Sequence, residues 1–346
     1  MSKYVSYRNR SGTVSFLFDK KALLVTSVLG CVSLILFLAG LSIGSTMLNP
    51  IEVVLHLLGI GSGEYAFIID TLRLPRMIIA LLAGAALGVS GLILQGMIRN
   101  PLGSPDILGI TGGASLAAVI FITYYAGTVS IQWLPAAAIT GAGIVSALIY
   151  ALSWKKGVTS NRLVLIGIGA AASMGALTTF VIVLGNNYST TQAYLWLTGS
   201  VYGSNWNNVY AMLPWVLLSI PLSLIFSKTA NAQELGDAMA SGLGVRVQLS
   251  RMGLLSISVV LAGLAVAFAG GIGFVGLIAP HIARKLVGRS FGSLVPVSAL
   301  IGGMIVFSAD VVARTAFLPL DLPAGIFVSG IGAPFFIYLL YKNRNQ

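Results

Sequence analysis

The sequence predicts an all-α, polytopic membrane protein with about ten transmembrane helices. Three observations predict this class. The mean hydropathy is +0.94 and only 8% of residues are charged, whereas soluble domains are about one quarter charged. Apolar runs long enough to cross a bilayer, which takes about 20 residues, recur along the chain. Finally, Lys and Arg fall on alternate connections between these runs, as expected when helices cross a membrane in turn.

Nine apolar runs are long enough to be transmembrane helices. They cover residues 22–43, 77–98, 107–126, 131–153, 163–185, 209–227, 252–269, 294–313 and 322–341. A tenth run, 272–283, is too short to cross alone, contains Pro280 and follows glycine-rich sequence, so we interpret it as a half-helix shielded by protein. The short piece 193–203 carries Tyr and Trp, which is typical of a membrane interface.

The distribution of basic residues predicts the orientation. With ten spans and a cytoplasmic N-terminus, every one of the 20 Lys and Arg residues except Arg73, Arg76 and Arg314 lies on the cytoplasmic side, as the positive-inside rule requires. A count of nine spans would scatter these charges over both sides. The net charge of +11 therefore reflects membrane orientation, and no nucleic-acid partner is predicted.

The same topology divides the chain into three parts. Residues 1–21 form a cytoplasmic N-terminal tail, 22–341 form a single transmembrane domain, and 342–346 form a cytoplasmic C-terminus. Within the domain, the segment 228–250 follows the sixth span and forms the longest internal cytoplasmic stretch. Both termini are thus predicted to be cytoplasmic, in a multi-pass protein surrounded by membrane lipid.

The residues offer little support for catalysis. His56 and His281 lie far apart, and no His, Cys or acidic cluster has metal-ligand spacing. No phosphate-binding P-loop motif occurs, so the chain is not expected to bind a nucleotide or another cofactor. No acidic residue lies near the middle of a span, which disfavours a carrier driven by protons or sodium. An ATP-independent secondary carrier or channel remains the alternative.

The segment "ELGDAMASGLGV", residues 234–245, is unusually polar for this chain. Its residues Leu235, Met239 and Leu243 have the spacing of one face of a short amphipathic helix. We expect this face to dock into a groove on a soluble partner. The alternative is a helix lying on the lipid surface. It is disfavoured because the segment is acidic where such helices are basic.

The three arginines on the outer side allow two interpretations. Arg73, Arg76 and Arg314 could attract an acidic partner and fix its orientation, since guanidinium groups bind carboxylates in a defined geometry. Alternatively, they pair locally with Asp70 and Asp310 or contact lipid phosphates; Asp310 and Arg314 have the helical spacing of an ion pair. The residues alone leave both interpretations open.

Several long motifs occur in one order over nearly the whole chain. They are "LRLPRMIIALLAGAALGVSGLILQGMIRNPLGSPDILGITGGA" (72–114), "ELGDAMASGLGV", "GGIGFVGLIAPHIAR" (270–284), "SADVVAR" (308–314) and "DLPAGIFVSGIGAPFFIYLL" (321–340). With these motifs the chain resembles the FecCD family from about residue 30 to 341. That family comprises permease subunits of ABC importers for ferric siderophores, haem and cobalamin. The resemblance implies the BtuC-like fold of type II ABC importers in a bacterial cytoplasmic membrane.

The resemblance also implies the assembly. The chain would pair with a second permease subunit, identical or paralogous, with two cytoplasmic ATPase subunits that bind ATP and Mg, and with an extracytoplasmic binding protein. The 22–341 domain would then be the permease domain and 228–250 its coupling segment. A ferric siderophore is the expected cargo, with haem or cobalamin as alternatives.

Leu235 and Met239 follow from the helical spacing described above, and the other site residues follow from what the family resemblance implies for this sequence. The ATPase-coupling residues are Leu235, Gly236, Asp237, Met239, Ala240, Leu243 and Gly244. The residues expected to contact the binding protein are Arg73, Arg76 and Arg314. The gate and pathway residues are Asn100, Ser160, Asn161, Gly167, Gly325 and Gly330. Around 155–161 the sequence departs from the family pattern, so the gate residues Ser160 and Asn161 are the ones that match the family least well.

Overall fold

The structure is a computed structural model that describes residues 4–8, 15–61 and 63–342. Its first element is an antiparallel hairpin of β1 (Tyr4–Arg8) and β2 (Ser15–Asp19), in which Tyr4 is opposite Asp19. Composition and periodicity did not predict this hairpin, which is a small addition to a helical architecture. All other regular elements in the described residues are helices.

The helices follow one another with short connections. They are α1 (Lys20–Ser42), α2 (Pro50–Leu57), a π-helical segment (Phe67–Arg73) continuous with α3 (Leu74–Ile98), α4 (Ile110–Tyr124), a 3-10 turn (Ile131–Trp133) leading into α5 (Leu134–Ser153), α6 (Ser160–Leu184), α7 (Asn187–Leu197), α8 (Trp206–Ile225), α9 (Ser227–Glu234), α10 (Asp237–Gly242), α11 (Val247–Ala269), α12 (Val275–Val287), α13 (Phe291–Thr315) and α14 (Ala324–Lys342).

A helix is found for every predicted span, and the polytopic helical class is confirmed. Among the described residues, seven helices are long and apolar enough to cross a membrane, and two shorter apolar helices cover Ile110–Tyr124 and Ala324–Tyr338. The predicted half-helix is α12. It begins three residues later than expected because Gly270 and Phe274 both have positive φ, 68° and 66°, which prevents a regular helix before Val275. The predicted interfacial piece 193–203 overlaps α7, which begins and ends earlier.

The centre of the bundle is α3, packed between α11 and α13. Backbones approach closely there because small residues line the contacts. A Cβ on Gly91 would lie 2.0 Å from the carbonyl oxygen of Gly276 in α12, and one on Gly84 would lie 2.1 Å from that of Gly302 in α13. A buried Ser90–Ser258 hydrogen bond of 2.7 Å joins α3 to α11. Larger residues at these glycines would therefore force the central helices apart.

The connections gather at two ends of the bundle. One end, here called the α10 end, contains α9, α10 and the connections α3–α4, α5–α6 and α12–α13; for example, Asn231 Oδ1 accepts a 2.9 Å hydrogen bond from Phe291 N. The other, here called the α7 end, contains α2, α7 and the connections α4–α5 and α13–α14. There Trp206 Nε1 donates to the carbonyl of Asp70 at 2.7 Å. These two ends carry most of the candidate functional residues.

Candidate functional site

The exposed apolar face predicted around α10 is present. Gly236, with φ of +111°, turns the chain between α9 and α10, a conformation that glycine adopts without strain. Leu235, Met239 and Leu243 are 61%, 63% and 66% exposed, and all three lie at the tip of the α10 end. We call these three residues the docking surface. They do not share one helix as predicted, because Gly236 separates Leu235 from α10 and Leu243 follows its last residue. Exposed apolar side chains grouped in this way are nevertheless typical of a surface that binds a partner.

The opposite face of α10 packs against the bundle. Ala240 is fully buried, and its N–H donates to the carbonyl of Gly236 at 2.9 Å. Gly244, with φ of +82°, ends the turn after α10, and Val245 N donates back to the carbonyl of Ala240 at 3.0 Å. The small residues Ala240 and Gly244 thus let α10 pack closely against the bundle while the docking surface faces outward.

Asp237 ties α10 to the rest of the bundle through Arg251. The Arg251 guanidinium donates to both carboxylate oxygens of Asp237 at 3.0 Å, and its side chain is only 1% exposed. It also donates to the carbonyl of Val158 in the α5–α6 connection. Gln248 makes two hydrogen bonds to the backbone of Val158. Its Oε1 accepts from Val158 N at 3.0 Å, and its Nε2 donates to the Val158 carbonyl at 3.1 Å. We call Asp237, Arg251, Gln248 and Val158 the clamp.

Sequence reasoning did not identify the clamp. Arg251 was placed in a cytoplasmic connection, whereas it lies inside α11, on its second turn. The signal in the sequence was an arginine at the start of an apolar helix with an acidic residue 14 positions earlier. Arg99 adds a looser contact at 3.7 Å from Asp237. The clamp thereby connects the docking surface to the α5–α6 connection.

One acidic residue beside the docking surface has a perturbed pKa. Burial raises the pKa of Glu234, and the positive charges of Arg284 and Arg289 oppose that rise. Arg284 in α12 also donates to Gln95 in α3, and Gln95 Nε2 donates to the carbonyl of Gly276 at 2.9 Å. The half-helix α12 is thus linked to the central helix at the α10 end.

Two of the predicted gate residues, Asn100 and Ser160, lie at the end of α3. Ser160, the first residue of α6, is buried and donates to the carbonyl of Met97 at 3.0 Å. Asn100 accepts a 2.9 Å hydrogen bond from Leu102 N and shapes the turn after α3. Asn161 is exposed on the first turn of α6. The α3–α4 and α5–α6 connections are therefore adjacent, and the second of them is also held by the clamp.

The three predicted pathway glycines have different surroundings. A Cβ on Gly167 would lie 2.8 Å from the Leu108 side chain, and one on Gly325 only 1.9 Å from the carbonyl oxygen of Thr198. Both positions therefore serve packing within the chain. Gly330 has no atom within 4 Å of its Cβ direction, so it lies on an open face of α14.

The three arginines at the α7 end are buried, and two of them, Arg76 and Arg314, lie beside carboxylates. Arg76 binds two carboxylates: Asp310 in α13 at 2.8 Å and Asp321 in the α13–α14 connection at 2.6 Å. The Asp310 side chain is 1% exposed and that of Asp321 is 30% exposed. The Arg314 guanidinium lies 3.9 Å from Asp310, as its helical spacing predicted. Sequence reasoning did not identify Asp321, and Asp70 pairs with His56 at 2.9 Å instead of with an arginine.

Arg73 has no carboxylate partner among the described residues. Its guanidinium donates to the carbonyls of Leu41 and Ser42 at the end of α1 and to that of Thr46 in the α1–α2 connection. Carbonyl oxygens satisfy its N–H donors but do not neutralise its charge. Arg73 is therefore the arginine of the three whose positive charge is least compensated.

Two surface cavities lie side by side at the α7 end. The smaller, of about 640 Å³, is lined by Arg73, Arg76 and Arg314 together with the connections around them; we call it the arginine cavity. The larger, of about 940 Å³, lies between the ends of α4 and α7 and is lined by amide and aromatic side chains such as Gln192 and Trp196. Tyr202 and Asp321 line both cavities. The structure thus brings the three predicted arginines together at one recessed site.

No group of His, Cys, Asp and Glu residues with the geometry of a metal site occurs within the described ranges. His281 instead packs edge-on against Phe335, with ring centroids 6.0 Å apart. The candidate functional groups are therefore the docking surface with its clamp and the arginine cavity, at opposite ends of a helical membrane bundle.

Comparison with known proteins gives this arrangement a family. A model of the FecCD transport family matches residues 32–342. The chain belongs to the FecCD transport family. It is 49% identical over 325 residues to the achromobactin transport system permease protein CbrC of Dickeya dadantii, covering 92% of this chain and 93% of the relative. It is 46% identical over 333 residues to the probable siderophore transport system permease protein YfhA of Bacillus subtilis, covering 95% and 97%.

A solved structure supports the same assignment for the fold. It is described as a metal-chelate type ABC transporter in an inward-facing conformation; it superposes with a TM-score of 0.81 at 30% identity, covering 93% of this chain and 99% of that chain. This FecCD chain is accordingly a permease component of an ABC importer, a transport subunit and not itself an enzyme. A multi-pass location in a membrane follows from its apolar helices and its family.

Proposed function

We propose that this chain is the permease through which a ferric siderophore crosses the bacterial cytoplasmic membrane, driven by an ATPase bound at the α10 end. The observation that carries the proposal is the docking surface. Leu235, Met239 and Leu243 are exposed at the α10 end, and the clamp residue Asp237 lies between the first two in the chain. Fully burying side chains of this kind stabilises an interface by roughly 1.5–3 kcal/mol each.

The ATPase supplies the energy because this chain has no nucleotide-binding motif of its own. Two ATPase subunits bind ATP and Mg, and each contacts the α10 of one permease. Motion of α10 reaches the α5–α6 connection through Asp237, Arg251 and Val158. The gate residues Ser160 and Asn161 begin α6 directly after that connection, and Asn100 lies on the adjacent α3–α4 connection, so nucleotide-driven motion biases the gate.

The orientation of the chain in the membrane supports ATPase binding at the α10 end and binding-protein contact at the α7 end. The α10 end carries nearly all basic residues and is cytoplasmic, so the hairpin and the C-terminus are cytoplasmic as well. The α7 end then faces the extracytoplasmic side. There an acidic residue of a binding protein approaches Arg73, Arg76 and Arg314 in the arginine cavity.

The translocation path lies at the interface with a second permease subunit. Exposed apolar residues run along α6 and α14, including Leu165, Ile168, Ile326 and Ile331. The open face of α14 at Gly330 gives room for a close approach, and Gly167 and Gly325 set the packing behind the path. The second subunit is a copy of this chain or a paralogue.

The cargo is inferred from the relatives. Those described above are named for achromobactin and siderophore transport, and the solved structure is named for metal chelates. A ferric siderophore is therefore favoured over haem or cobalamin. Specificity resides mainly in the binding protein, because few charged groups line the proposed path.

Reconstitution of the complete importer in vesicles tests the proposal. We expect uptake of a labelled ferric siderophore to require ATP and to fall at least about tenfold in Leu243→Asp, because a carboxylate cannot be buried in an apolar groove at low cost. Leu243→Met is the matched control and should retain uptake, since it keeps an apolar side chain of similar volume.

Two outcomes would contradict the proposal. Uptake against a gradient by the permease alone, without ATPase subunits, would instead indicate a secondary carrier. Normal ATP-dependent uptake by Leu243→Asp would show that the energy enters elsewhere.

A further inference from the structure

The second carboxylate bound to Arg76 suggests a role that the proposed function does not include. Arg76 Nε and Nη2 donate to Asp310, while Nη1 donates to Asp321 Oδ2 at 2.6 Å and Nη2 to Asp321 Oδ1 at 2.7 Å. A guanidinium has five N–H donors, so nearly all of them are occupied. A carboxylate arriving from outside can therefore bind Arg76 through two hydrogen bonds only where one of the two aspartates leaves.

The two aspartates differ in which of them can leave. Asp310 is 1% exposed, lies on the long helix α13 and is absent from the lining of both cavities. Asp321 is 30% exposed, lies in the connection before α14 and lines both cavities. Displacing Asp321 returns it to water from a position already partly in water, which costs far less than moving Asp310.

The charges of the arginine cavity favour an incoming anion. Three guanidinium groups, Arg73, Arg76 and Arg314, line it, and Asp310 and Asp321 are the carboxylates within ion-pair distance of them. The excess charge belongs to Arg73, whose hydrogen-bond partners among the described residues are all carbonyls. When one carboxylate replaces another on Arg76, the guanidinium keeps its hydrogen bonds. The uncompensated positive charge of Arg73 additionally attracts the incoming carboxylate.

Asp321 is also directly connected to a proposed pathway helix. It lies three residues before Ala324, the first residue of α14. The next residue, Leu322, donates to the carbonyl of Ala313 at 3.3 Å, and Gly325 donates to the carbonyl of Gly199 at 2.9 Å. Release of Asp321 would therefore free the start of α14 from one of its attachments to α3.

We propose that Asp321 is an internal competitor for the carboxylate site on Arg76, and that an acidic side chain of the docked binding protein replaces it. This inference rests on the proposed docking of a binding protein at the α7 end. Because of this exchange, the binding protein docks and the start of α14 is released in the same step. Arg73 attracts the acidic side chain, and Arg76 accepts it.

The test measures the affinity of the extracytoplasmic binding protein encoded with this transporter for the full importer in lipid nanodiscs. Asp321→Asn removes the competing charge and should tighten binding by about threefold or more, corresponding to ~0.7 kcal/mol or more. Arg73→Gln should weaken binding by at least a similar factor. A gain of affinity is informative here because a merely damaged structure would not produce one.

Matched variants separate competition from general electrostatics. Asp70→Asn removes one negative charge at the same end, but Asp70 pairs with His56 and does not line the arginine cavity, so the affinity should be unchanged. Asp321→Glu keeps a carboxylate and should bind as the wild type does. In the wild type, hydrogen exchange of residues 317–326 should increase when the binding protein docks.

The outcomes distinguish this inference from the proposed function. If Arg73→Gln weakens binding but Asp321→Asn does not tighten it, docking stands and the internal competitor is wrong. Equal tightening by Asp70→Asn, or unchanged exchange of 317–326 on docking, would also overturn the inference. If Arg73→Gln leaves the affinity unchanged, the arginine cavity is not the docking site and the proposed function itself must be revised.

Discussion

At the α10 end apolar side chains are exposed and the charged groups lie beneath them, whereas at the α7 end the charged groups line a recess. Leu243 is 66% exposed above a clamp whose Arg251 is 1% exposed. Arg76, by contrast, lies in the arginine cavity with its partner Asp310 behind it. The difference indicates that the α10 end suits a permanent apolar contact, and the α7 end a reversible contact that depends on charge.

The comparison predicts that mutations at the two ends have different consequences. Apolar residues of the docking surface contribute to association and little to folding, because they are exposed in the chain alone. Charged residues of the arginine cavity contribute to both, because removing one leaves a buried partner without compensation.

The largest effect should come from Arg76→Leu. This change leaves Asp310 buried without a strong partner, and breaking a buried ion pair in this way costs about 3–5 kcal/mol. Thermal unfolding of the purified chain in detergent should show a clear drop in Tm. The double variant Arg76→Leu with Asp310→Leu should recover part of it, and a double variant as unstable as the single one would contradict the explanation.

Arg251→Gln should affect coupling more than folding. The substitution removes the charged hydrogen bonds to Asp237, which are worth about 1.5–3 kcal/mol together with the bond to Val158. We expect the ATPase to remain bound through the docking surface, while the amount of cargo transported per ATP hydrolysed falls about fivefold. Parallel assays of uptake and ATP hydrolysis in vesicles measure this ratio.

Arg251→Lys provides the control for charge. It keeps the positive charge but loses the planar fork that binds both oxygens of Asp237, so it should restore the ratio only in part. An unchanged ratio in Arg251→Gln would mean that α10 is coupled to the gate by another route.

The pathway glycines provide a matched pair with a smaller expected effect. Gly325→Ala would place a Cβ 1.9 Å from the carbonyl of Thr198, and such overpacking costs about 1–3 kcal/mol. Gly330→Ala meets no atom within 4 Å and should leave the Tm of the single chain unchanged. If both variants lowered Tm equally, the packing assigned to Gly325 would be wrong.

The sequence predicted the features that depend on local spacing. The helices follow from apolar runs. The exposure of Leu235, Met239 and Leu243 follows from the spacing within one short segment, although Gly236 interrupts the helix that this spacing predicts. The Asp310–Arg314 contact is likewise a four-residue spacing within α13. Each of these is fixed by neighbours in the chain, so no knowledge of tertiary packing was needed.

The missed features depend on contacts between distant segments. The pair of Arg76 with Asp321 joins residues 245 positions apart, and nothing near either residue indicates the other. Gly325 and Gly330 stand in the same motif, yet only the first meets another backbone, because the α7–α8 connection lies over one end of α14. The β1–β2 hairpin was missed for a different reason, since its short strands carry no long apolar pattern.

The smallest effect should come from Arg99→Gln, and it sharpens the assignment of the clamp. Arg99 lies 3.7 Å from Asp237 with its side chain 39% exposed, so solvent screens the pair and its contribution is at most a few tenths of a kcal/mol, ~0.5 or less. The cargo transported per ATP should therefore stay close to the wild-type value. If Arg99→Gln lowered this ratio as much as Arg251→Gln does, Asp237 would be held mainly from the α3–α4 connection, and the route from α10 to the gate would pass through Arg99 and Asn100 and not through Val158.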